Sequence, residues 1–272
     1  MKKLRRSARL VDMTQYLLAH PHTLIPLTLF SEEYGSAKSS ISEDLSIIKE
    51  AFESQGVGVL KTVAGAAGGV KYIPQVNQEH SKTFMATLIE QLAKPERVLP
   101  GGYLYMSDIL GHPTTLAQIG KLFASAFADQ DVEVVMTVET KGIPLAYATA
   151  AYLNVPVVIV RRDNKVTEGS VVSINYVSGS SKRIQTMSLA RRALPEQSRV
   201  LIVDDFMKAG GTVRGMIDLL QEFRATVVGC GVMVETADVS ERLVDEYISL
   251  AKLNEVDIKE KHIQIELGSY FQ

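Results

Sequence analysis

The sequence predicts an α/β protein in two parts, and three observations carry that prediction. Within residues 1–74, apolar residues recur at helical spacing in three short stretches, which give way to two strands around a glycine-rich tip. From Ala117 onward, apolar strands alternate with amphipathic helices, the pattern of a parallel sheet covered on both faces. One strand of that second part runs into "VLIVDDFMKAGGT" (Val200–Thr212), where two carboxylates precede a glycine-bearing turn. At 272 residues the chain can bury a substantial core in one or two domains. The division is expected between residues 1–74 and 75–272.

The first helix is "RLVDMTQYLLAH". It sets Leu10, Met13 and Leu17 on one face, with Val11 and Leu18 beside them, and stops at His20-Pro21. "PLTLFSEEYG" makes a short second helix, with Pro26 near its first turn and Gly35 at its end. In "SAKSSISEDLSIIKEAFESQG", Ile41, Leu45, Ile48 and Phe52 recur at +4, +3 and +4, a buried stripe that Gly56 ends. "VGVLKTV", "AGAAGG" and "VKYIP" then form a small hairpin.

Three helices followed by a two-stranded ribbon make the winged variety of helix-turn-helix, whose last helix enters a DNA major groove by its N-terminal residues. The same helices also suit a dimerisation or docking module. For DNA, the groove-facing residues are Ser36, Lys38, Ser39 and Ser40, and Lys61 and Lys71 lie on the ribbon near the flanking backbone. Glu43 and Asp44, one turn further on, repel phosphate unless they point away or accept from cytosine.

Charge is uneven along the chain. Residues 1–74 carry nine Lys/Arg against seven Asp/Glu, and the remainder carries twenty against twenty-four. Lys2, Lys3, Arg5, Arg6 and Arg9 fall in the first ten positions with no acid among them. Such an arm suits a polyanion, with Arg5 and Arg6 as candidate phosphate contacts, although a solvated tail has the same composition. A basic head also begins a signal peptide, but Asp12, Thr14 and Gln15 interrupt the apolar stretch and no small-residue cleavage site follows. The longest apolar run, about the length of "VPVVIV", is far short of a membrane span. A cytoplasmic location is expected. The single cysteine, Cys230, rules out an intrachain disulfide and a cysteine-cluster metal site, and sits in "VVGCGVMV" as a small core residue.

In the second part, "NQEHSKTFMATLIEQLAKPERVLP" reads as a helix leading out of the first domain. "AQIGKLFASAFA" is a helix, "VEVVMTV" a strand, "IPLAYATAAYL" a helix and "VPVVIVR" a strand. "RVLIVDD" (a strand), "TVRGMIDLLQEF" (a helix) and "TVVGCGVMV" (a strand) complete the alternation. Ligands in such sheets sit at the carboxyl ends of the strands. Two turns fall there: "VETKG" after a strand ending at Val138, and "DDFMKAGGT" after one ending at Val203.

The second turn has a definite chemistry. Gly210 and Gly211 let backbone amides curl inward and Thr212 opens the next helix, an anion nest suited to one phosphate. Asp204 and Asp205 beside it need ribose hydroxyls donating to them, or a Mg²⁺ bridging nearby oxygens, to offset their repulsion. Neither the G-x-x-x-x-G-K spacing of a triphosphate loop nor a G-x-G-x-x-G dinucleotide fingerprint is present.

"VLIVDDFMKAGGT" resembles the phosphoribosyl-pyrophosphate (PRPP) signature of the type I phosphoribosyltransferases. The resemblance implies that Asp204 and Asp205 hold the ribose hydroxyls and that the loop from Phe206, Met207, Lys208 and Ala209 through Gly210, Gly211 and Thr212 holds the 5′-phosphate. "VETKGIPLA" is similar to the family's pyrophosphate loop, with Thr140, Lys141 and Gly142 at the tight turn. "RRDNKVTEGSVVSINYVSGSSKRIQTMSLARR" falls where the family has a mobile hairpin that closes over the ligand, which makes Arg161 at its head a candidate contact. "GGYLYMSDIL" falls at the hood segment facing the base, with Tyr103 the candidate there.

Over nearly its full length the chain is similar to the purine operon regulators of Gram-positive bacteria, through "SAKSSISEDL", "GAAGGVKYIP" and "DDFMKAGGT". This implies a homodimer that binds paired operator half-sites on double-stranded DNA and reads PRPP, with Mg²⁺ as a candidate companion and purine nucleotides such as guanosine tetraphosphate as competitors. The family contains repressors and activators. Purine-gene repression with a non-catalytic site is expected; the alternative is an active purine phosphoribosyltransferase with an accessory nucleic-acid-binding domain. Transfer requires a base held in line with C1′ and its proton managed. Active enzymes commonly carry Thr where this chain has Ala209, and Lys208 and Phe206 are bulky beside the acids.

Overall fold

The computed structural model describes residues 4–65, 68–100, 103–163, 169–177, 184–237, 239, 241–257, 260 and 262–272. The chain divides into two compact units, Met1–Asn77 with Tyr152–Asn154, and Gln78–Ala151 with Val155–Gln272. Among the described residues no helix is long and apolar enough to cross a membrane.

The first unit holds α1 (Arg6–Ala19), β1 (Leu24–Ile25), α2 (Leu27–Glu33), α3 (Lys38–Ser54), β2 (Gly58–Val63) and β3 (Gly69–Pro74). The predicted stripe of α3 is the heart of its core: Ile41, Leu45, Ile48 and Phe52 are buried with Met13, Leu17, Phe30, Tyr34 and Tyr72. Val11 and Leu18 of α1 lie outside that core, at 69% and 44% exposure. Burying one such Leu or Phe fully contributes about 1.5–3 kcal/mol, which a unit of this size needs. The ribbon gains a strand that local sequence did not reveal. β1 pairs with β3, giving the order β1-β3-β2. Two residues carry too little periodicity to register as a strand; the pairing comes from β3.

The basic head is also corrected. Helix α1 begins at Arg6, three residues before the predicted start at Arg9, so Arg6 is helical rather than part of an N-terminal arm. Lys2 and Lys3 lie outside the described residues.

In the second unit the helix after Pro74 is α4 (Gln78–Leu92), shorter than expected because Pro95 starts a separate 3-10 turn at Pro95–Arg97. A small ribbon of β4 (Val98–Leu99) and β5 (Tyr103–Leu104) leads to α5 (Ser107–Leu110) and α6 (Pro113–Ala126). Then come β6 (Val134–Val138), α7 (Gly142–Leu153), β7 (Val157–Val160) and the hairpin of β8 (Val171–Val177) and β9 (Ile184–Ala190). The chain ends with β10 (Arg199–Met207), α8 (Gly211–Glu222), β11 (Thr226–Thr236), β12 (Ile248–Asp257) and β13 (His262–Leu267). The sheet order is β13-β12-β11-β10-β6-β7, parallel except for the antiparallel edge strand β13. Strands β12 and β13 were not anticipated; their charged residues, such as Lys252, Glu255 and Glu266, mask the apolar runs.

Both faces of the sheet are covered. Val213, Met216, Leu219 and Leu220 of α8, with Tyr176, Met187 and Leu189 of the hairpin, pack on Val134, Met136, Val200, Ile202, Cys230 and Val232. On the other face Phe123 of α6 and Phe127, which caps its C-terminus, lie against Gly231 and Gly229 of β11.

Candidate functional site

At the carboxyl end of β10 lies a cavity of about 660 Å³, lined by residues 204–213 together with Leu99, Pro100, Tyr103, Leu104, Met106, Lys141, Arg162 and Gln185. The acids stand on the strand itself rather than on a turn after Val203. Pairing with β6 stops at Ile202, but β11 continues to bond β10 through Asp204↔Val232, Phe206↔Val234 and Met207↔Glu235. The longer partner extends the strand.

Asp204 is buried, and its Oδ1 accepts the amide of Asp205 at 3.0 Å. Burial, reinforced by the charge of Asp205, pushes the Asp204 carboxyl well above the usual carboxylate range. Asp205 is also raised by burial, against the pull of its hydrogen bond with Asp204 and of the Lys141 ammonium. Arg162 acts on Asp204 in the same opposing sense. The pair is a carboxylate site kept short of positive charge, which a ligand bringing hydroxyl donors or a cation would relieve.

The turn that follows is shaped for an anion. Gly210 takes φ +88°, a left-handed conformation that a side chain rarely adopts, and caps α8. Among the described residues no side chain caps the helix, so the first amides of α8 are left without an intrahelical or side-chain acceptor. Gly142, at the start of α7, lies so close to the acids that a Cβ there would sit 3.1 Å from Asp204 Oδ1 and collide with Thr137 Oγ1. A side chain here would keep the turn at the start of α7 from approaching the carboxylates. The peptide bond between Glu139 and Thr140 is cis.

The opposite wall is aromatic. Tyr103, 41% exposed, lies with its ring 6.3 Å from that of Phe206, and Lys208 Nζ stands 5.3 Å above the Tyr103 ring. Arg97 holds this segment in place. Its guanidinium makes two bonds to Asp108, at 2.8 and 2.7 Å, and others to the carbonyls of Tyr105 and Gln91.

Of the residues expected at the ligand, Tyr103, Lys141 and Asp204 through Thr212 line one cavity. Gly142 backs it, whereas Thr140 is exposed beside it. Arg161 turns to Glu139 at 3.3 Å and bridges Ser188, and its neighbour Arg162 lines the wall. Alternation along the chain sends adjacent arginines opposite ways. The hairpin expected as a lid is docked by its described part: Tyr176 and Met187 are buried against Gly215 of α8. Residues 164–168 and 178–183 of that segment, and Gly101 and Gly102 of the hood, lie outside the described residues.

In the first unit, Lys38 and Ser39 are exposed at the head of α3, with Ser40 half-buried. Ser36 is engaged internally, accepting from Arg9 Nη1 at 3.2 Å and donating to the Tyr34 carbonyl. Lys61 and Lys71 face each other across the ribbon in register. Asp44 points away from the exposed side of α3. It is fully buried and takes Arg9 Nε at 2.6 Å and Arg6 Nε at 2.9 Å. Arg6 is therefore committed to Asp44 and lies 3.7 Å from Glu43, while Arg5 is exposed before α1.

The architecture is that of a winged-helix unit joined to a phosphoribosyltransferase-type unit. Residues 5–74 match the family described as bacterial purine repressor, N-terminal, and residues 106–269 match the phosphoribosyl transferase domain. The chain is 67% identical, over 99% of its length and 95% of the relative's, to the purine biosynthesis transcriptional repressor PurR of Bacillus subtilis. It is 47% identical to the purine biosynthesis transcriptional activator PurR of Lactococcus lactis, over 98% of this chain and 99% of that one. The adenine phosphoribosyltransferase of Thermoanaerobacter pseudethanolicus shares the fold of the second unit, with a TM-score of 0.54 at 20% identity over 61% of this chain and 98% of that one. The chain belongs to the PurR family.

Proposed function

We propose that this protein is a DNA-binding regulator of purine biosynthesis genes that holds PRPP in the cavity at the end of β10 and does not convert it. The observation that carries the effector assignment is the meeting of Asp204 and Asp205 with the uncapped start of α8 in one cavity, with Lys141 and Arg162 on its wall. Ribose hydroxyls suit the two acids, one phosphate suits the amide nest, and the cations suit a diphosphate. Among the described residues no group of three or more His, Cys, Asp or Glu could hold a metal. A Mg²⁺ ion would therefore need oxygens of the ligand as well as Asp204 or Asp205.

The place of an attacking base is what argues against turnover. Tyr103, Phe206 and Lys208 associate on the same wall of the cavity, and together they occupy a surface on which a planar base would otherwise stack. Transfer requires interactions stronger in the transition state than in the ground state, and a base displaced from line with C1′ forgoes them. Among the described residues this wall carries no carboxylate or imidazole to orient a base nitrogen and take its proton.

For DNA, the exposed head of α3 offers Lys38, Ser39 and Ser40 to the groove, and Lys61 and Lys71 carry the ribbon toward phosphates. Two copies binding paired half-sites fit this arrangement. The relatives bear the names of both a repressor and an activator, and repression is the sign proposed here because the 67% identical relative is the repressor.

The test is titration of PRPP into the purified protein with Mg²⁺, following binding, operator affinity and pyrophosphate release together in the presence of each purine base. Saturable binding that changes operator affinity without nucleotide formation is the expected result. Nucleotide formation at an enzyme-like rate, abolished in Asp204→Asn, would replace the sensor by the enzyme. PRPP that binds without changing operator affinity would remove it as effector.

A further inference from the structure

We infer that the crossover between β11 and β12 sets the polarity of the phosphate loop, with Arg242 as the positioning residue and Glu235 as its anchor. The inference rests on the assignment of that loop to a ligand phosphate. In a trans peptide the carbonyl and the amide N–H of one plane point in opposite directions. The Lys208 carbonyl accepts a hydrogen bond from Arg242 Nη1, and the Ala209 carbonyl accepts the Leu243 amide at 2.9 Å. Both carbonyls are thereby drawn toward the crossover. The amides of Ala209 and Gly210, on the far edges of the same two planes, are turned the other way, toward the cavity that these residues line. Val244 backs the loop, with its Cγ2 only 3.3 Å from where a Cβ on Gly210 would lie.

Arg242 is itself held. Its Nη2 donates to Glu235 Oε2 at 3.1 Å and to the Thr236 carbonyl at 2.9 Å, and its guanidinium lies 5.6 Å from the Tyr247 ring centroid. Glu235 is 6% exposed and also accepts the Tyr247 hydroxyl and the Ser249 hydroxyl, each at 2.6 Å. A buried carboxylate outside the cavity thus fixes an arginine, and the arginine fixes the Lys208 carbonyl, next to the Ala209 carbonyl that the amide of its neighbour Leu243 holds. Without the arginine, the Lys208 carbonyl is free to swing its negative end toward the phosphate.

The experiment is calorimetric titration of the full-length protein with PRPP, ribose 5-phosphate and pyrophosphate. Arg242→Met should weaken PRPP and ribose 5-phosphate by about 30-fold, the scale of a lost hydrogen bond from a charged donor. Pyrophosphate, which does not use the 5′-phosphate nest, should stay within about twofold; a merely unfolded or loosened domain would lose all three. Arg242→Lys, which keeps a donor for the Lys208 carbonyl, should restore most of the affinity. Glu235→Gln should fall between, and it carries the comparison if Arg242→Met does not fold. Wild-type affinity for PRPP in Arg242→Met and Glu235→Gln, or an equal loss for pyrophosphate, overturns the inference. Absence of PRPP binding by the wild-type protein overturns the effector assignment itself, and the brace with it, so the two failures are told apart by the wild-type titration.

Discussion

Replacing Asp44 by Ala separates two accounts of α3 by the sign of the effect. If Asp44 faced DNA, removing its charge would tighten binding by relieving repulsion of phosphate. The structure requires the opposite. Asp44 is fully buried against Arg9, which is 8% exposed, and against the half-exposed Arg6. Losing the carboxylate strands the Arg9 guanidinium in the interior and releases Ser36 just before the helix head. Breaking a buried pair from one side costs about 3–5 kcal/mol, and the exposed Arg6 contact adds little. A loss of about 3 kcal/mol in local opening corresponds to amide exchange roughly 150-fold faster, at a factor of ten per ~1.4 kcal/mol. Hydrogen exchange read by mass spectrometry on α1 and α3 peptides of the full-length protein reports it, alongside operator binding. Asp44→Ala should exchange faster in those peptides and bind operator more weakly. Tighter operator binding with unchanged exchange would show that Asp44 acts on DNA and not on the fold.

The remaining predictions concern both units. Lys38→Ala should weaken binding to all DNA sequences and flatten the salt dependence by about one unit of slope, measured across several ionic strengths; an unchanged slope removes Lys38 from the phosphate contacts. Asp204→Asn should lose the PRPP response while still binding operator. It should also unfold at higher temperature near pH 7. A carboxyl whose folded pKa is raised destabilises the native state above its unfolded value of about 3.8, and that difference vanishes as pH falls below it, so the Tm gap should close in acid. Asp108 is held at about 2 by its bonds to Arg97, so its contribution is present above the unfolded value and is lost as pH falls toward 2. In Arg97→Met its titration, followed by NMR, should return toward the ordinary carboxylate value.

Much of this architecture is legible in local sequence because it follows local rules. The stripe Ile41–Leu45–Ile48–Phe52 needs only helical periodicity to be seen, and all four residues are buried. Asp204, Asp205 and the Gly210–Gly211–Thr212 turn lie within a few residues of one another, so one strand and one helix start suffice to bring them together. Strand β1 escaped notice since it exists only through its pairing with β3, and β10 runs past Val203 only because β11 is long enough to bond it. The side on which Asp44 lies was equally open, its partners being 35 and 38 residues away in α1.

The sequence by itself determined the two-part plan, the core stripe of α3 and the adjacency of two acids to a glycine turn, since each depends on spacing within one or two elements. Tertiary structure alone decided that Arg162 rather than Arg161 reaches the cavity wall, that Phe206 and Lys208 both meet the Tyr103 ring, and that Arg242 grips a carbonyl 34 residues away. Hydrogen bonds and ring contacts act over a few ångströms, and no periodicity in the chain records which distant residues folding will bring within that range.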